Sequence, residues 1–206
     1  QREGAGFLFY DKHIRHALVE GFCRTPAFVE EETYVIEEFD LCGGISRIDV
    51  ALVNGMLHGF EIKSDRDNLE RLARQQEDYN RVFNTVTVVT TKAHLSNVED
   101  LIPAWWGLIE LSENKGRTSI SLVRKPGLNP GVDGFHVAML LWREELLVLL
   151  REKAGITAGV KSKTRRALAR LACEKIPLAD IESYVRTALK SRPAWKARRL
   201  PQRCDG

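Results

Sequence analysis

The sequence lacks the features of a membrane-spanning or exported protein. A membrane span needs about 20 mostly apolar residues. The longest apolar run in these 206 residues covers positions 140–150, and Arg143, Glu144 and Glu145 interrupt it. No charged start followed by an apolar stretch marks an export signal. These absences predict a cytoplasmic protein.

The sequence also lacks closely spaced cysteines and a nucleotide-binding loop. Its four cysteines, Cys23, Cys42, Cys173 and Cys204, form no C-x-x-C pair, which argues against a zinc site or a disulfide framework and predicts reduced thiols. The stretch GITAGVKS at 155–162 has three residues between its glycines, and a valine precedes Lys161. This spacing excludes a phosphate-binding P-loop.

The composition is that of a globular protein with an uneven distribution of charge. Hydrophobic residues make up 44% and charged residues 29% of the chain, which excludes wholesale disorder. Residues 1–142 carry a net charge of −6 and residues 143–206 a net charge of +9, giving +3 in total. A basic tail on an acidic body predicts a polyanionic partner for the tail. A merely solubilising surface is the alternative.

Hydrophobic periodicity predicts a mixed α/β core followed by a helical annex. Strands are expected at 34–41, 47–53, 56–64, 85–91, 106–111 and 119–124, and helices at 11–24, 67–83, 97–102, 135–153, 163–175 and 179–192. The stretch rich in proline and glycine at 125–134 reads as a linker. We therefore expect a first domain at 1–125 and a basic annex at 135–206.

Three charged residues are predicted to meet on one face of a hairpin. The Asn54-Gly55 turn folds the second strand back on the third, so that Asp49 approaches Glu61 and Lys63, which share a face because they are two positions apart. Two carboxylates suit Mg²⁺, and the lysine would sit beside the metal-bound water. The alternative is a salt-bridged hairpin in which Lys63 pairs with Glu61 or Asp49.

This pattern resembles the PD-(D/E)XK nuclease superfamily. The residues that match the motif are Asp49 and the Glu61-Ile62-Lys63 tripeptide. The proline of the motif is absent, and Gly-Ile-Ser-Arg occupies its expected position. The longer stretch GGISRIDVALVNGMLHGFEIKSD is most similar to bacterial and phage-associated members with a helical C-terminal extension. The resemblance implies a restriction-endonuclease-like α-β-β-β-α-β core.

The resemblance also implies roles for individual residues. Gln75 and Tyr79 look like the Gln-x-x-x-Tyr motif of the exonuclease branch, in which the glutamine lies near the metal and the tyrosine near the nucleic acid. Glu38 matches an acidic residue that closes the strand ahead of the Asp, and Glu20 is its competitor as a further ligand. The implied catalytic set is Asp49, Glu61, Lys63 and Gln75, and the implied ligands of Mg²⁺ or Mn²⁺ are Asp49, Glu61 and Glu38.

Basic residues in the annex are candidate contacts to nucleic acid. They are Lys161, Lys163, Arg165, Arg166 and Arg170. The helices at 163–175 and 179–192 could form a helix-turn-helix on DNA, or a helical cap with a solvated basic face.

The expected function is therefore a metal-dependent DNA phosphodiesterase, in particular an endonuclease. Two alternatives stay open: a non-catalytic nucleic-acid-binding or assembly subunit with the same fold, and an RNA-directed nuclease. A homodimer is the assembly that the resemblance suggests, because many members of the superfamily dimerise to cut both strands.

Overall fold

A mixed seven-stranded sheet organises the protein. The computed structural model describes residues 14–15, 18–19, 21, 32–114, 117–192 and 197–199. The strands are β1 (Tyr34–Leu41), β2 (Ser46–Val53), β3 (Leu57–Lys63), β4 (Thr85–Thr91), β5 (Gly107–Asn114), β6 (Arg117–Arg124) and the two-residue β7 (Arg198–Arg199). Their order across the sheet is β6-β5-β4-β3-β2-β1-β7.

The strand pairing confirms the predicted hairpin and the mixed α/β class. β1, β2 and β3 are antiparallel neighbours, whereas β3, β4 and β5 run parallel. The Asn54-Gly55 turn sets Val53 opposite Leu57, and the Asn54 side chain accepts a hydrogen bond from the backbone N–H of Met56 at 3.0 Å. Every residue of β4 is buried, as its β-branched sequence predicts.

Helical residues including Ile14 and Leu18 lie against one face of this sheet, and the six helices that the structure describes in full pack on the other side. They are α1 (Glu70–Val82), α2 (Leu95–Leu101), α3 (Gly134–Ala138), α4 (Arg143–Ala154), α5 (Arg165–Lys175) and α6 (Leu178–Ser191). Ile14 and Leu18, which are helical, join the apolar cluster on one face. A second cluster unites the other face with α1 and the annex helices. The division into two domains stays a prediction, and a shared core crosses the proposed boundary.

The single helix predicted for 135–153 is wrong, because the chain forms two helices there, α3 and α4. Arginine side chains donate hydrogen bonds to the backbone carbonyl groups at the break between these two helices. Arg165 donates to the carbonyls of Met139 and Leu141, and Arg192 donates to that of Leu140 at 2.8 Å. Periodicity detects an apolar stripe but not distant donors that satisfy the backbone of a break.

No helix in the described ranges has the length and apolar character needed to cross a membrane.

Candidate functional site

Strand β3 carries the charged pair at the centre of the predicted site. Glu61 and Lys63 lie on the same face, and their side chains are only 3% and 7% exposed. Lys63 Nζ lies 2.6 Å from Glu61 Oε1. An ion pair this deeply buried is held only if its remaining polar atoms also find partners.

Helix α1 supplies those partners through two residues one turn apart. Gln75 Oε1 accepts from Lys63 Nζ at 3.3 Å, and Gln75 Nε2 donates to the Tyr79 hydroxyl at 2.9 Å. The hydroxyl lies 2.6 Å from Glu61 Oε2 and 2.7 Å from the carbonyl oxygen of Arg47, so its one proton has two acceptors. Burial, and then the negative charge of Glu61, raise the pKa of Tyr79, which keeps the phenol protonated.

Asp49 lies where β2 and β3 separate. The last paired residues of this ladder are Val50 and Phe60. One position beyond, Asp49 Oδ2 accepts a hydrogen bond from the backbone N–H of Ile62 at 2.7 Å. The carboxylate therefore takes the place of a ladder hydrogen bond at the point where the sheet opens.

Glu38 lies beside Asp49 in the sheet and contacts two arginines. Its backbone φ is 51°, an uncommon value for a non-glycine residue. Glu38 Oε1 lies 2.6 Å from an Arg15 guanidinium nitrogen, and Oε2 lies 3.6 Å from one of Arg47. Glu20, its predicted competitor, lies outside the described residues.

The magnesium site stays a prediction. Within the described part of the chain, no group of three or more His, Cys, Asp and Glu side chains is arranged to hold a metal ion. Glu61 shares its two oxygens between Lys63 and Tyr79, and Glu38 is paired with arginines. These contacts match the salt-bridged alternative for Lys63 and Glu61.

An open cleft of about 630 Å³ lies above this network. The opening of β2 from β3 forms it, and α1 provides one wall. Its polar and charged lining residues are Ser46, Arg47, Asp49, Glu61, Lys63, Ser64, Asp67, Arg71, Arg74, Gln75 and Asp78. The sequence interpretation missed Arg71 and Arg74, although their i, i+3 spacing on the polar side of a predicted helix was a visible signal.

The basic residues of the annex separate into two groups. Lys161, Lys163, Arg166 and Arg170 are exposed; we call these four the annex patch. Arg165 is partly buried and donates to carbonyls of the α3–α4 break. That placement gives Arg165 structural contacts, and its predicted contact to nucleic acid stays a prediction.

Tyr79 lies inside the buried network, and its predicted contact to nucleic acid stays a prediction. Its side chain is fully buried and bonded to Glu61 and Gln75. The structure therefore brings together Glu61, Lys63, Gln75 and Tyr79 as predicted, but as mutual partners.

Comparison with known proteins identifies a phage family. A family model described as bacteriophage P4 protein cII matches residues 6–203. Protein cII of Enterobacteria phage P4 is 27% identical over 185 residues, which cover 90% of this chain and 68% of that relative. No solved structure matches.

These findings overturn the nuclease interpretation. The matching family is not a nuclease family, so the assignment to the PD-(D/E)XK superfamily is wrong, and so are the predicted endonuclease, hydrolase and Mg²⁺-dependent phosphodiesterase activities. A short motif of Asp and Glu-x-Lys on a hairpin also arises in a buried ion-pair network, as Glu61 and Lys63 illustrate. The roles of the individual site residues stay predictions.

Proposed function

The chain belongs to the bacteriophage P4 protein cII family, and from that premise we propose that it binds DNA without cutting it. The observation that carries this proposal is the annex patch, four exposed cations that lie just before α5 and within its first six residues, in a segment of net charge +9. Such a patch attracts the phosphate backbone without reading its sequence.

The local arrangement of the patch favours an anionic partner. Lys163, Arg166 and Arg170 line a shallow depression of about 340 Å³, and the one acidic residue in its lining is Glu174. The guanidinium carbons of Arg166 and Arg170 lie 5.1 and 5.9 Å from the centre of the Phe135 ring. Cation–π contacts orient the two arginines without neutralising them.

The buried network supports a binding role without catalysis. Lys63 is paired with Glu61 and bonded to Gln75, so it is a partner within the core. The same groups therefore stabilise the junction of β3 and α1, which holds the sheet to the helical layer.

The finer description of the fold is also a proposal. The order of a helical segment, three antiparallel strands, a helix and a parallel strand agrees with a restriction-endonuclease-like core, here serving as a scaffold for binding. The predicted homodimer loses the reason given for it, which was cleavage of both strands, and stays a prediction about assembly only.

Binding and cleavage can be measured on one labelled DNA duplex. We expect the duplex to bind with an affinity that falls steeply as salt rises, and to remain intact after incubation with Mg²⁺ or Mn²⁺. Replacing Lys163, Arg166 and Arg170 with alanine should weaken binding at least ten-fold.

The matched control replaces Lys92, Lys125 and Arg151 with alanine, which removes the same charge from exposed positions outside the annex patch. Equal losses of DNA affinity in the two triple variants would show that the effect depends only on net charge, and this would contradict the proposal. So would tighter binding to an RNA of the same length, or cleavage of the duplex.

A further inference from the structure

We infer that the cleft beside α1 binds a backbone phosphate of the same DNA through Arg71 and Arg74. This inference rests on the proposed function and adds a second contact, on the sheet body rather than the annex. Some charged side chains that line the cleft are paired within the protein and others form no ion pair in the described ranges, and the inference follows from this difference.

The carboxylates that line the cleft are all engaged by donors of the protein itself. Asp49 accepts from the backbone of Ile62, and Glu61 from Lys63 and Tyr79. The remaining two complete the set: Asp67 accepts from the backbone and hydroxyl of Ser64 at 2.7 and 2.6 Å, and Asp78 accepts from the Ser46 hydroxyl and from Arg81. Their negative charge is therefore partly compensated from within.

The basic side chains that line the cleft differ in whether they form ion pairs. Lys63 is paired with Glu61, and Arg47 is bonded to Asp40 at 2.7 Å. Arg71 and Arg74 are exposed and form no ion pair within the described ranges. Asp49, Glu61 and Asp78 each lie within 4 Å of a basic side chain. Among the charged lining residues, only Asp67, Arg71 and Arg74 therefore form no ion pair in the described ranges. The charge left unpaired in the cleft is therefore net positive, with both cations on the α1 wall.

The spacing of the two arginines suits one phosphate group. Residues three apart on a helix are surface neighbours, with Cβ atoms roughly 5–6 Å apart. A guanidinium presents several N–H donors in a planar fork that matches phosphate oxygens, often in pairs. With a volume of about 630 Å³ and an open mouth, the cleft admits a strand segment rather than a lone ion.

The test compares Arg71→Ala/Arg74→Ala with Lys125→Ala/Arg151→Ala, a control double variant with the same loss of charge. Each contact to a phosphate of duplex DNA contributes about 0.9 to the slope of log affinity against log salt. We expect the cleft variant to lose roughly ten-fold or more in DNA affinity and to lower the slope by about 0.9 relative to wild type, because the two arginines hold one phosphate. The control should change either quantity far less, and thermal unfolding should be unaltered in both, because all four side chains are exposed.

The outcomes separate this inference from the proposed function. If the wild type binds DNA, the annex-patch variant weakens it and the cleft variant behaves like its control, the inference fails and the proposed function stands. If the wild type does not bind DNA, both fail. If free mononucleotide or inorganic phosphate binds in an Arg71- and Arg74-dependent way while DNA does not, the cleft serves small phosphates and the inference is overturned.

Discussion

At the scale of single residues, the protein depends on a lysine and a glutamate buried against each other. Lys63 and Glu61 are 2.6 Å apart with almost no exposure. Removing one partner of such a pair leaves an uncompensated charge in the interior, and this costs more than the pair contributes to stability.

Lys63→Met should therefore lower the free energy of unfolding by about 3–5 kcal/mol, measured by urea denaturation. The double variant Lys63→Met/Glu61→Gln removes both charges and should recover part of that loss. Lys153→Ala, which removes an exposed ion pair with Asp180, is the surface control and should change stability by less than about 1 kcal/mol. A loss for Lys63→Met as small as that of the control would show that the network does not stabilise the core.

The side chain of Asp133 caps the N-terminus of α3 and makes a pH-dependent contribution to the stability of the fold. It accepts hydrogen bonds from the backbone N–H groups of Phe135 and His136. Partial burial acts to raise its pKa, but the hydrogen bonds and charge of His136 outweigh burial, and the net pKa is lowered. A carboxyl whose pKa is lower in the folded state stabilises the fold above its unfolded pKa, and this contribution is lost as the pH falls through the folded pKa.

Asp133→Ala should thus cost about 1 kcal/mol at pH 7, where the cap is fully formed. Asp133→Asn keeps a side-chain oxygen that can cap the helix but removes the negative charge, so its comparison with wild type isolates the effect of that charge. The stability advantage of wild type over Asp133→Asn should shrink between pH 5 and pH 3, as followed by urea unfolding. An advantage that grows on acidification would reverse the sign and contradict the assignment.

At the scale of secondary-structure elements, the sequence predicted the sheet better than the annex. The bounds of β1 and β4 match the predicted ranges, because alternation and β-branched composition are local signals. The break between α3 and α4 could not be foreseen, since it depends on Arg165 and Arg192, which lie far along the chain from the carbonyls they bond.

The candidate site shows the same difference between features that follow from local sequence signals and features that depend on distant contacts. The convergence of Glu61 and Lys63 follows from strand alternation, and their approach to Gln75 and Tyr79 from helical spacing. What those groups bond to depends on burial and on the direction of each side chain, and the motif contains neither. The nuclease assignment itself was overturned by the family match, which a short motif does not anticipate.

Arg165 and Arg166 are adjacent in sequence and provide a test of the two roles within α5. Arg165→Ala removes the donors that serve the α3–α4 break and should lower the free energy of unfolding by about 1–3 kcal/mol, while DNA affinity measured on folded protein changes little. Arg166→Ala should leave stability almost unchanged and weaken DNA binding several-fold. Thermal unfolding and fluorescence anisotropy distinguish them, and the opposite pattern would reassign both residues.

At the scale of the whole molecule, one hydrophobic cluster joins the sheet to the annex. Asn84 of the sheet layer donates to Glu182 of α6 at 2.7 Å, and Asn129 donates to carbonyls of Asn80 and Phe83. The basic surface is therefore carried on a framework that packs against an acidic body. This asymmetry favours one orientation of the protein on a polyanion.

The measurement that tests this account most directly is the salt dependence of DNA affinity for wild type and for the Lys163→Ala/Arg166→Ala/Arg170→Ala variant. The account predicts a linear fall of log affinity with log salt, with a slope that is shallower in the variant by about 2–3. Identical slopes, or no measurable binding by the wild type at low salt, would contradict it.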